Sequence, residues 1–439
     1  MTTVSPARRR AVLAALRRGT VPESGLDLFA VGLDRLAPTL DEELSACASG
    51  AAEFKAVRGE YGAGKTFLAR WLAERAKAAG MAVSEVQISE TETPLHRLET
   101  VYRRLCENLT TAAAPPSAFR AVLDSWLFAL EEDVLAEGEV DASDAQRLGS
   151  AVDDLLELRL GGLARTTPGY ATGLRGYRRA VAEGNTDTAD GLAAWLAGQP
   201  HVASSAKRAA AVKGDIDHFQ ALGFLQGLLT VLRDAGHPGL LLVLDEVETL
   251  QRVRSDARAK ALNALRQLID EIDKGRFPGL YLMVTGTPAF FDGRQGVQLL
   301  QPLADRLHTD FGTDNRFDNA RAPQVRLTGF TLDRLVELGS RVRSLYANGS
   351  PAAQRILQLV DDAYLRDFAA SVAGRLGGKV GVAPRVFLRK LVLNVFDTIE
   401  LHPDFDPRSD YTVAVERAEL TSVEREAAAT SADDIDLDV

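Results

Sequence analysis

The chain has 439 residues, 46% of them apolar and 26% charged, with a formal net charge of −10. That length allows two or three domains with ample cores, and no apolar run approaches the roughly 20 residues of a membrane helix. The acidic balance argues against a surface that wraps nucleic acid broadly, so any such contact must be local.

Two cysteines, Cys47 and Cys106, and six scattered histidines supply neither a disulfide framework nor a zinc cluster. The opening "MTTVSPARRRAVLAALRRG" is basic and helical without a signal-type apolar core, and Pro6 and Gly19 mark the two ends of an ordinary helix. A reducing cytoplasm is the expected compartment. Residues 1–52 read as N-terminal helices, with the turn "GTVPESGLDLFAVG" between them.

Next comes "FKAVRGEYGAGKTFLARWLAERAKAAG", residues 54–80, in which a short apolar run meets a glycine-rich turn and then a helical pattern. Gly59-x4-Gly64-Lys65-Thr66 is the phosphate-binding loop pattern. Glycines at 59, 62 and 64 let the backbone N–H groups turn inward, and the following helix adds the positive end of its dipole. Gly59, Glu60, Tyr61, Gly62, Ala63, Gly64, Lys65, Thr66 and Phe67 are therefore the expected nucleotide-binding residues. Lys65 would reach the β- and γ-phosphates of ATP, and the Thr66 hydroxyl would ligate Mg²⁺.

A strand, "MAVSEVQIS", and a helix, "PLHRLETVYRRLCENL", follow. From about 111 to 212 helical segments alternate with Gly- and Thr-rich joints, which reads as an α-helical insertion. The α/β alternation then resumes with a helix at 215–235 and the buried strand "GLLLVLDE". Adjacent carboxylates at such a strand end are costly unless they meet a cation. Asp245 is thus expected to hold Mg²⁺, and Glu246 to orient and polarise the attacking water. The strand "GLYLMVTGTP" ends in Thr285 and Thr287, and the sequence does not choose which of the two positions the water.

Arg306, in "QPLADRLHTDFG", lies on a helix leaving the nucleotide domain, where it would reach a neighbouring subunit or remain a surface residue. The strand "PQVRLTG" leads to helices from 331 to about 400, and "GKVGVAPRVFLRKLV" sets Arg385 at a helix start, as a lid contact to the γ-phosphate or a cap. The end, "SADDIDLDV", reads as a disordered acidic tail.

The expected fold is α/β: a parallel sheet flanked by helices over 53–325, the insertion at about 111–212, a helical lid over 326–405 and a C-terminal segment over 406–439.

The order GEYGAGKT, LLLVLDE, VTGTP, ADRL and APR resembles the AAA+ ATPases, above all their initiator and transposition-helper branches. More closely, "LRRGTVPESGLDLFAVGLDR", "FKAVRGEYGAGKTF", "VSEVQISETETPLHRLETVYRRL" and "LLLVLDEVETLQR" resemble the BrxD-type ATP-binding proteins of bacterial BREX phage-defence systems. The resemblance covers nearly the whole chain except the tail. It implies an ATP-hydrolysing subunit that works with other defence-system proteins in a homo- or hetero-oligomer, and it sets Val21 and Pro22 near adenine. The insertion lies outside the minimal AAA+ core, so its role does not carry over.

A slow nucleotide-dependent switch is the alternative reading. A P-loop kinase is weaker, because paired acids suit water as the acceptor, and an LSGGQ-like transporter signature is lacking. Double-stranded DNA is a candidate partner at two basic stretches: Arg175, Tyr177, Arg178 and Arg179 in "GLRGYRRA", and residues 251–260, "QRVRSDARAK". Either stretch would equally serve as a solvated helix face.

Overall fold

Strands β3 (Leu240–Asp245) and β4 (Leu280–Gly286) read as near-continuous apolar runs, and almost every residue in them is buried. Strands covered on both faces require that pattern, since neither face meets water. With β1 (Glu53–Gly59), β2 (Ala82–Gln87) and β5 (Gln324–Leu327) they form a five-stranded sheet in the order β2-β3-β4-β1-β5. β2, β3 and β4 run parallel, so Gln87 and Asp245 sit opposite each other at one carboxyl edge. Ligands of open parallel sheets bind at such an edge. The computed structural model describes residues 4–138, 140–375 and 384–415. No helix among the described residues is long and apolar enough to cross a membrane.

The chain packs as two compact units. The first holds the described parts of Met1–Leu40, Val57–Glu74 and Thr309–Val439. Its N-terminal helix, Pro6–Arg18, starts where the Ser5 hydroxyl accepts the Arg8 N–H, and it stops at Gly19 in the left-handed region. The C-terminal helices include Leu332–Ala347 and Pro384–Lys390, the latter continuing through a π-helical turn, Leu391–Phe396, into Asp397–Leu401. Arginines join the two ends of the chain. Arg17 forks onto Asp397 at 2.8 and 2.7 Å, and the same carboxylate accepts the Tyr346 hydroxyl. Arg9 donates to the carbonyls of Tyr346 and Asn348.

The second unit comprises Asp41–Ala56 and Arg75–His308. Between residues 111 and 212 the elements among its described residues are helices: Phe119–Ala136, Ala145–Thr166, Pro168–Ala182, Thr186–Leu196 and Ser204–Ala209. These helices share one apolar core with β2, β3 and β4. Phe224, on the His218–Asp234 helix, is a focus of that core, with Tyr102, Tyr170 and Trp195 packed edge-on around it at 5.0–5.9 Å. Lys55 is buried in β1, and its ammonium pairs with Glu43 at 2.6 Å while the Tyr281 hydroxyl donates to the same carboxylate. Removing one member of such a set would leave an uncompensated charge, so the set fixes the Ala37–Ala48 helix against the sheet.

Candidate nucleotide site

In the first unit, β1 runs into the turn 60–64, and the helix Lys65–Ala78 begins immediately after it. Gly62 and Gly64 have φ values of 78° and 96°, in the left-handed region where a side chain is strained. Gly59 is needed for a different reason. A Cβ there would come within 3.1 Å of the Ala63 methyl and 3.3 Å of Leu327, so it answers to packing rather than to turn geometry.

Beside Gly64, among the described residues other than its chain neighbours, only the Phe330 ring edge lies within 4.0 Å of a would-be Cβ, so the turn is open to that distance. Lys65 is 8% exposed, and its ammonium lies at the loop, 2.8 Å from the Gly59 carbonyl and 5.0 Å from the centre of the Tyr61 ring. Glu60 and Gly62 are exposed, Ala63 is buried, and Thr66 is half-buried in the first helical turn. Phe67 packs edge-on against Phe29. An open left-handed turn beside a buried lysine fits a polyphosphate.

In the second unit, the acids expected at the end of β3 form a connected cluster. The Thr285 hydroxyl, fully buried at the end of β4, donates to Asp245 Oδ1. The Glu246 N–H donates to Asp245 Oδ1 at 3.1 Å and to Thr285 Oγ1 at 3.3 Å. Glu246 itself adopts φ 60°, ψ 42°, a left-handed conformation that costs a non-glycine residue about 1–3 kcal/mol. Its side chain accepts from Gln87 Nε2 at 2.9 Å, from the end of β2. Thr287 precedes the short Pro288–Asp292 helix and is 5% exposed. Of the two threonines, Thr285 is the one joined to the acids.

Over residues 4–415 the sequence matches the family model described as BREX system ATP-binding protein BrxC/D. The chain belongs to this family. No curated protein matches it.

In this BREX ATP-binding family member the remaining expected residues are placed as follows. Pro22 is buried and Val21 half-buried in the first unit. The Val21 carbonyl accepts from Arg70 at 2.6 Å, and Glu74 accepts the backbone N–H groups of Gly25 and Leu26. Residues 21–26 are therefore pinned to the Lys65–Ala78 helix. Arg70 and Glu74 went unnoticed in the sequence because an amphipathic helix carries such charges routinely. Arg385 lies beside Gly19, its guanidinium 3.5 Å from where a Cβ would stand, with Arg389 one turn on at 3.3 Å. The Arg385 guanidinium and the Arg389 stem thus meet the carboxyl end of the Pro6–Arg18 helix, where the dipole favours a cation.

Arg306, in the second unit, is held within its own chain. It pairs with Asp270 and donates to the Pro302 carbonyl at 2.7 Å, with its side chain 35% exposed.

In the first of the two basic stretches the aromatic is turned inward. Tyr177 is fully buried, Arg175 pairs with Glu157, Arg178 with Asp153, and Arg179 donates to the Ala209 carbonyl. The aromatic belongs to the helical core there, while its arginines pair at the surface. In 251–260, Arg258 turns inward onto the carbonyls of Leu250, Gln251 and Val253, while Arg252, Arg254 and Lys260 are exposed.

Proposed function

We propose that this BREX ATP-binding protein hydrolyses ATP with Mg²⁺ and couples turnover to assembly with other defence-system proteins. The observation that carries this reading is the Thr285–Asp245–Glu246 cluster, in a chain that also holds an open phosphate loop with a buried lysine. Lys65 and the loop N–H groups bind the β- and γ-phosphates. Thr66 and Asp245 are hard oxygen donors suited to Mg²⁺, which takes its other ligands from phosphate and water and, when bound, would neutralise charge on the phosphate oxygens. Glu246 orients the attacking water and accepts its proton, and Thr285 holds Asp245 and the Glu246 backbone in register. Val21 and Pro22 border the base, and Arg385 contacts the nucleotide from the C-terminal helices. Double-stranded DNA, where it is engaged, is met by Arg252, Arg254 and Lys260.

The test compares Lys65→Ala with Glu246→Gln. The first should abolish ATP binding. The second should keep binding while cutting turnover by roughly a hundredfold or more, the scale of losing a general base. Equal loss of binding in both would remove this division of labour.

A second reading, a slow nucleotide-dependent switch, is favoured by two contacts. Gln87 occupies the Glu246 carboxylate, and Asp270 occupies Arg306. A wild-type protein that binds ATP tightly and turns it over no faster than Glu246→Gln would support the switch.

A further inference from the structure

At the far end of β3 from Asp245, five strand residues or roughly 17 Å away, the second unit has a cavity of about 440 Å³. Its walls are of two kinds. Ala48, Leu160, Pro238 and the Trp126 ring are apolar, while Arg159, Arg233 and Asp234 bring charge.

The charges differ in how far they are already committed. Asp234 accepts from the Trp126 indole N–H at 2.6 Å and from Arg159 Nη1 at 2.5 Å, and Arg159 Nη2 goes on to Asp133 at 2.8 Å. That set is satisfied internally and, with two carboxylates on one guanidinium, leaves no positive charge to spare. Arg233 is different: it is exposed, and its guanidinium makes no hydrogen bond or ion pair with another described residue. Its chain is nevertheless confined. The guanidinium rests 3.2 Å from where a Cβ of Gly50 would stand, and its Cδ is 3.3 Å from the corresponding point at Gly279. A side chain at either glycine would push it aside.

We propose that this cavity binds a carboxylate carried on an apolar stem, with Arg233 forking onto the carboxylate and the stem lying along Leu160, Pro238 and Ala48. One uncommitted guanidinium matches one carboxylate in bidentate geometry. A dianionic phosphate would bring a second charge with no cation left to meet it, close to Asp234 and to the negative end of the His218–Asp234 helix. The volume suits a small organic acid or the last residue of a polypeptide. Both sources present the same chemistry, a monoanion with an apolar body. The site is independent of the nucleotide-binding residues.

Arg233 also stands in the last turn of its helix, where a cation favours the dipole. That role needs no ligand, so binding and stability must be read separately. Hexanoate, a hexapeptide ending in leucine with a free carboxyl, and the same peptide amidated would each be titrated onto the full chain by ligand-observed NMR.

A free-carboxyl probe should bind in a saturable way and the amide should not. Arg233→Gln should weaken binding by about tenfold or more, the scale of a lost charge-assisted pair, while Arg233→Lys keeps part of it. ATP binding by Arg233→Gln, followed with a fluorescent analogue, should match wild type and so report an intact fold. Tighter binding of the peptide than of hexanoate assigns a partner's chain end; comparable binding assigns a free acid. No saturable binding of either carboxylate to wild type, or equal binding to Arg233→Gln or by the amide, overturns the proposal.

Discussion

Replacing Thr285 by valine tests the acid cluster at its least accessible point. The side chain is fully buried, so valine keeps the shape and removes only the hydroxyl. Two interactions go with it: the bond to Asp245 Oδ1 and the acceptor 3.3 Å from the Glu246 N–H. A hydrogen bond to a charged group contributes about 1.5–3 kcal/mol. The Glu246 N–H retains Asp245 Oδ1 at 3.1 Å, so no buried donor is stranded, and the loss should stay within that range.

If the same energy is expressed in the transition state, turnover falls by about tenfold to a hundredfold. ATP affinity should change little, since Lys65 and the loop are untouched. The assay is steady-state phosphate release beside fluorescent-nucleotide titration, on Thr285→Val, Thr285→Ser and Thr287→Val. Serine should restore most activity, because it returns the hydroxyl, and Thr287→Val should stay near wild type. Wild-type turnover in Thr285→Val, with the deficit in Thr287→Val instead, would refute the assignment.

Arg306→Ala separates a finger from a strut. A finger acting on a neighbouring subunit supplies roughly 10³–10⁵ in rate, so turnover should collapse with ATP binding intact, and mixing with Lys65→Ala protein should restore part of it. A strut for Asp270 would lower the unfolding midpoint and leave turnover alone. Glu74→Gln should loosen the 21–26 linker and weaken nucleotide affinity by roughly threefold to thirtyfold at constant turnover under saturation, the cost of weakening charged hydrogen bonds; unchanged affinity would show that the linker does not border the base.

Both cysteines are buried, and burial pushes the Cys47 thiol up to about 12 and raises Cys106 as well. Native protein should therefore resist a thiol reagent at pH 8, while unfolded protein reacts at both sites. Because the folded state holds these protons more tightly, their contribution to stability is complete below the unfolded thiol value. It is lost as pH rises from there towards 12. Prompt native reactivity at pH 8 would contradict the buried placement.

Local chemistry was legible in the sequence where one residue type has one physical reason. Positive φ requires glycine at 62 and 64, and a strand covered on both faces requires runs such as "LLLVL". Gly59 fits the same pattern for another reason, its approach to Ala63 and Leu327, which spacing alone does not reveal. Long-range partners were not legible. Tyr177 among arginines reads equally as a DNA contact or a solvated face until its burial is known, because a helix of mixed basic and aromatic residues has the same composition whichever side faces the core. Gln87 was invisible for a related reason. A glutamine at a strand end carries no signal until parallel register sets it opposite Asp245.

Those late-appearing partners bear on how the site would run. Glu246 is useful as a base only when its carboxylate faces water, yet one oxygen accepts from Gln87. Arg306 is useful as a finger only when it leaves Asp270. The Gln87–Glu246 bond is exposed and contributes about 1 kcal/mol or less, whereas Asp270 is only 13% exposed and keeps Arg266 at 2.6 Å when Arg306 leaves. A bond as small as the first cannot hold Glu246 shut, and a partner or polyanion that engages the same side chains can shift both contacts. On the proposed reading, the connection that carries Arg252 and Arg254 and the helix that carries Arg306 are where an outside partner would set the rate.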